Sequence, residues 1–228
     1  MRILESRLAS TSGDPEGAAE AGADLCAALC SLAELLVGGA LARGELPAVE
    51  AEVRAALSRA GECSASSPEP GQVLASALYE LGKADEALAC LKDSMGRWLQ
   101  GAPEEELEGW DLAGAPEPPS YEFRFECAKL LLELDSSTED AIEVLETLVA
   151  EDDMDPNVWH MLALAYYSGG HFDECRESLE RCEGLLRKLG VPETEEIWAS
   201  AKDMSEALAD AVDKCGGAGG AGAGGMDA

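Results

Sequence analysis

Basic residues are what this sequence lacks most. Sixteen Lys and Arg stand against 46 Asp and Glu, a formal charge of −30 over 228 residues. That deficit argues against nucleic acid or an anionic membrane as a direct partner, because both are held by a positive footprint. Aromatic residues are sparse at 5%, and the two histidines, His160 and His171, have no partner at metal-ligand spacing. No CxxC or HxxxH pair occurs. The eight cysteines (Cys26, Cys30, Cys63, Cys90, Cys127, Cys175, Cys182, Cys215) are scattered, so neither a zinc site nor a disulfide framework is expected. Cys26 and Cys30 share one helix face, four apart, and Cys175 and Cys182 lie seven apart, spacings that suit small buried hydrophobes. With GxxxxGK[ST], GxGxxG and GxSxG also absent, phosphate-cradling and nucleophile-elbow chemistry have no motif. No enzyme activity, metal or cofactor is expected. The opening MRILESRLAS has no h-region, and no uninterrupted apolar run of about 18 residues is found. These absences predict a soluble protein of a reducing compartment, cytoplasm and nucleus, with no membrane partner.

What the sequence does have is helix. Hydrophobic content of 46% is enough to bury a core despite the charge. Apolar residues recur at helical spacing while β-branched residues are rare. The predicted helices cover 23–42, 48–60, 71–82, 84–100, 121–134, 138–151, 156–168, 172–189 and 193–214. Between them lie SSPEPG, APEPPS, MDP and SGG, which carry turn chemistry.

An internal repeat emerges when the helices are aligned. In NVWHMLALAYYSGGHFDECRESLERC, the residues Trp159, Leu162, Ala163, Tyr166, Cys175, Leu179 and Cys182 follow the tetratricopeptide pattern of large and small residues. Trp159 is expected to pack as a buried structural residue. A second copy places Leu74, Ala75, Leu78, Ala87 and Leu91 in register, and a third, looser one runs from Tyr121 to Leu148 with an extra turn residue between Ala128 and Ala141. Ala141 and Cys175 are 34 residues apart, one period. Ala87 and Ala141 are 54 apart, one period plus 20, and residues 101–120 form an acidic, Pro- and Gly-rich insertion of that length. Ala51 lies 36 before Ala87 and marks the second helix of a degenerate upstream repeat. The predicted fold is an all-α, right-handed solenoid of tetratricopeptide-like helix pairs over 23–214, closed by a C-terminal capping helix. A flexible N-terminal segment at 1–22 and a Gly/Ala tail at 215–228 flank it.

First helices of such repeats line the concave binding surface. Taking Ala75, Ala128 and Ala163 as equivalent, the groove candidates are Gln72, Tyr79 and Glu80, then Glu122, Phe125 and Glu133, then Asn157, His160 and Tyr167. Glu151, Asp152 and Asp153 form an acidic loop able to attract a basic ligand, or simply to be solvated. A carboxylate-clamp groove for chaperone tails would need several cations here; among Gln72, Ser76, Phe125, Lys129, His160 and Leu164 only Lys129 is one.

The segments ALCSLAELLVG, EVRAAL, QVLASALYELGKADEALACLKDSM with Trp98, PSYEFRFECAKLLLELD, AIEVLETLVAEDD and VWHMLALAYYSGG occur in an order that resembles the family of dedicated assembly chaperones of ribosomal protein L4, over residues 25–190. The Glu151–Asp153 run followed by Val158 and Trp159 is the stretch most like that family. The resemblance implies a helical-repeat chaperone that captures newly made L4, shields its long basic extension and accompanies it to large-subunit assembly. It also implies a relative short of the N-terminal repeats. The partner implied is a basic ribosomal protein of the large subunit, with no direct nucleic acid, bound by a monomer. The alternatives are a tetratricopeptide co-chaperone and a general acidic adaptor or histone chaperone.

Overall fold

The structure is a computed structural model that describes residues 5–6, 15–99, 118–134 and 138–217. The acidic insertion at 101–117 and the tail beyond 217 lie outside the described residues, as do residues 7–14 and the extra turn at 135–137. Where a single repeat domain was expected, contacts divide the chain into two compact units, Met1–Ser120 and Tyr121–Ala228. The described residues are helical throughout apart from the turns.

The first unit holds α1 (Pro15–Leu41), α2 (Leu46–Cys63), α3 (Glu69–Glu80) and α4 (Ala84–Met95). Helix α1 packs on α2 and α3, and α3 on α4. Its buried stripe, Leu25, Cys26, Leu29, Cys30 and Ala33, closes on Val53, Leu57 and Ala60 of α2 and on Val73 and Ala77 of α3. Three expectations change here. Helix α1 begins at Pro15, so residues 15–22 are not part of a flexible lead-in: Ala21 is buried, and a Cβ on Gly22 would stand 2.5 Å from the Cys63 carbonyl oxygen. The absence of a side chain is what lets α1 and α2 close together at that point. Ala51 is exposed rather than in a small-residue contact, because α2 turns Leu46, Val53, Leu57 and Ala60 inward instead. Finally, α1 from Glu16 to Leu41 is long and apolar enough to cross a membrane by length and composition, a property hidden from a search for unbroken runs of large apolar residues by its many Ala and Gly. Leu35, 75% exposed, is the most open large apolar side chain on it.

The second unit holds α5 (Tyr121–Glu133), α6 (Thr138–Glu151), α7 (Pro156–Gly169), α8 (Phe172–Leu189) and α9 (Glu196–Gly217). Each helix packs on its sequence neighbours, with α5 also reaching α7 and α9 reaching α7 as well as α8. That nearest-neighbour order is the packing of a helical-repeat solenoid. The repeat alignment holds at the atoms that matter most: Ala75, Ala128 and Ala163 of the first helices, and Ala87, Ala141 and Cys175 of the second, are each 0% exposed. Small residues recur there because the two helices of a pair cross closely, and Leu91, Leu145 and Leu179 fill the next turn.

Local chemistry fixes the ends. Asp155 caps α7 by accepting from the Asn157 N–H at 2.8 Å, and Pro156 follows where its missing N–H costs nothing. Gly170 ends α7 at φ 79°, letting the His171 N–H reach the Tyr166 carbonyl at 2.8 Å.

Candidate functional site

The groove candidates divide between the units. In the first, on α3, Glu80 is exposed, Tyr79 half-buried and Gln72 buried. In the second, Glu122 and Glu133 are exposed on α5 beside the half-buried Phe125. The α7 candidates are committed to internal contacts. Asn157 joins its own N-terminal cap, its Nδ2 donating to Asp155 at 3.0 Å. His160 faces the capping helix, with Nε2 3.0 Å from the Ser200 hydroxyl, and burial lowers its proton affinity. Tyr167 packs on Phe172, ring centroids 6.0 Å apart, in the cluster that seats α9 through Ala201 and Leu208.

The acidic loop is likewise a joint within the second unit. Glu151 takes the buried guanidinium of Arg124 from α5, which also donates to Thr147 Oγ1 at 3.5 Å. Asp152 accepts from the Met154 N–H at 2.9 Å, closing the turn. Asp153 receives Arg181 from α8 at 2.6 Å, and its carbonyl accepts from Trp159 Nε1 at 2.9 Å. Asp155 accepts from the Tyr121 hydroxyl at 3.4 Å, and burial together with this carboxylate raises the phenol's pKa. Trp159, expected to be buried, is only half-buried: its ring lies under the Arg181 guanidinium at 5.8 Å, while Val158 takes the fully buried place beside it. Arg124, only 5% exposed, is the residue that sequence reading passed over. Its partner lies 27 positions away, and nothing short of the helix pairing brings them together.

The scarce cations are spent inside the molecule. At least eleven of the sixteen Lys and Arg are in ion pairs with the chain's own carboxylates, as in Arg54 with Glu50 and Glu86, or Lys83 with Glu50 at 2.6 Å. Lys129, the one cation at a clamp position, itself pairs with Glu126 at 3.4 Å. The surplus carboxylates therefore define the surface potential.

The thiols are mostly interior. Cys26, Cys30, Cys127, Cys175 and Cys182 are buried and free. Burial pushes the Cys127 thiol to about 12 and the Cys175 and Cys182 thiols to about 11. Cys26 and Cys30 are raised too, first by burial and then by the neighbouring Glu69 carboxylate, against which a hydrogen bond with Ser67 lowers Cys26.

A tetratricopeptide-repeat family model matches residues 156–185, which span α7 and most of α8. The chain is similar to a probable assembly chaperone of rpl4. That relative, from Emericella nidulans, is 34% identical over 96 residues, 42% of this chain and 22% of its own length. A solved assembly chaperone of RpL4, Acl4, superposes with a TM-score of 0.56 at 24% identity, over 78% of this chain and 59% of that one. The superposition shows the same helical-repeat fold. MamA 41-end from Desulfovibrio magneticus RS-1 overlaps over 82% of this chain and 92% of its own with a TM-score of 0.48 and 19% identity. The chain thus spans 22% of the length of the named relative and 59% of the solved chaperone.

Proposed function

We propose that this chain is a non-enzymatic chaperone that binds a newly made basic ribosomal protein of the L4 type and escorts it, as a monomer, from cytoplasm to nucleus for large-subunit assembly. The observation that carries the reading is electrostatic: a helical-repeat scaffold bears a formal charge of −30 while its own cations are largely paired internally. Such a surface attracts a Lys- and Arg-rich segment and competes with the stray RNA that would otherwise bind it. Similarity to a probable assembly chaperone of rpl4 supports the choice of client.

Glu80 and Glu133 occupy the same position in two repeats, and both are exposed. Changing both to Lys is expected to weaken binding of an L4-type basic extension in titration calorimetry. Because exposed pairs contribute about 0.2 to 1 kcal/mol each, the loss should be several-fold rather than complete. An acidic chaperone-tail peptide should bind neither form. Tail binding that tightens in the double variant, with the basic segment unaffected, would instead establish the co-chaperone reading.

A further inference from the structure

Two cysteines on α1 and a glutamate on α3 converge in the core of the first unit. Cys26 Sγ, Cys30 Sγ and a Glu69 carboxylate oxygen all lie within 4.8 Å of one another. The thiols are 1% and 0% exposed, and Glu69 is half-buried. The repeat alignment makes the last point informative. Glu69 stands six residues before Ala75, where the other repeats have Glu122 and Asn157; those two are exposed, whereas Glu69 is drawn in against the thiols. Among the described residues no cation pairs with this carboxylate, and the charged group that acts on it is another acid, Glu34. Hydrophobic packing explains a buried cysteine at either position, but it does not explain a carboxylate turned toward both.

We propose that Cys26, Cys30 and Glu69 form a binding site for one thiophilic divalent cation of the zinc class, which ties α1 to the start of α3. Two sulfurs and one oxygen are a donor set for zinc; magnesium and calcium take oxygen alone. Zinc bonds of about 2.3 Å to sulfur and about 2.0 to 2.2 Å to oxygen place tetrahedral ligands about 3.5 to 3.8 Å apart. The three donors, all within 4.8 Å of one another, therefore need to close by at most about 1 Å, a movement on the scale of small side-chain rotations of the two cysteines and Glu69. The fourth position falls to water or to Ser67, whose side chain already bonds Cys26. Binding forms two metal–thiolate bonds and one metal–carboxylate bond and releases the two thiol protons to solvent. Sequence spacing hid the site because its third ligand lies 39 residues beyond Cys30.

The test uses the full untagged chain, reduced and stripped with chelator. Zn(II) alone is titrated against a chromophoric chelator, and Co(II) is used to read thiolate-to-metal charge transfer. The expected result is one ion per chain, with a higher melting temperature when loaded. Glu69→Gln should weaken binding at least tenfold while leaving the apo circular dichroism unchanged. Cys30→Ala should weaken it at least a hundredfold, and Cys182→Ala, a buried cysteine of the second unit, should bind as the parent does. Absence of saturable one-to-one binding in the parent overturns the site. So does unaltered binding in Glu69→Gln, a variant that tests the idea even if Cys30→Ala does not fold.

Discussion

Arg124 shows how one side chain can hold two helices in register. Its guanidinium is buried on α5, and the charge is tolerable there because Glu151, at the last turn of α6, reaches it from a half-exposed position. Removing the acid takes a counter-charge away from the buried cation. Glu151→Gln is expected to destabilise the chain by about 1 to 3 kcal/mol in urea unfolding, whereas Asp152→Asn, which keeps its turn hydrogen bond, should stay within about 0.5 kcal/mol. Trp159 teaches the opposite lesson. The repeat pattern places a tryptophan there, but the ring is shared between solvent and Arg181. Trp159→Ala should therefore cost less than the roughly 2 to 5 kcal/mol expected for Leu145→Ala in the same measurement. Neither result was legible in the sequence, because a pattern of residue sizes gives the face of a helix and not the charge that will arrive from 27 positions away.

At the scale of the helix, most boundaries could be read in advance, and the reasons are physical. Turn residues such as Asp155–Pro156 and Gly170 act locally, so they stop and start helices wherever they occur. The predicted start of α1 falls eight residues late because PEGAAEAG offers no large apolar residue to mark a face, although its small residues are what the crossing with α2 requires. Gly22→Ala should accordingly destabilise the first unit by about 1 to 3 kcal/mol, since backbone must move to admit a Cβ. Gly184→Ala in α8, with nothing within 4 Å of the added carbon, should stabilise by about 0.5 to 1 kcal/mol. The capping helix α9 introduces a pH dependence that no single segment reveals. Burial against it lowers the proton affinity of His160, so the unfolded chain takes up that proton more readily than the folded one. The contribution is fully present above the ordinary value of 6.5 and is lost as pH falls through it. Melting temperatures of His160→Gln should therefore fall less steeply than those of the parent between about pH 7.5 and 5.5.

For the whole molecule, charge sets how the proposed client would be met and packing sets endurance. If a basic segment is steered by the surplus carboxylates, its association rate should fall steeply as salt shortens the Debye length to about 8 Å at physiological ionic strength and below. Stopped-flow rates that ignore salt would indicate capture through apolar contacts instead. Endurance can be followed with reporters already present. Cys30 lies in the α1 core, Cys127 in the α5–α6 pair, and Cys175 and Cys182 in the α7–α8 pair, each 0% exposed. A thiol so enclosed, with its pKa raised, meets an alkylating reagent only when its own neighbourhood opens. Alkylation half-lives, resolved cysteine by cysteine, are thus a map of local opening free energies within each unit, obtained without introducing a single label.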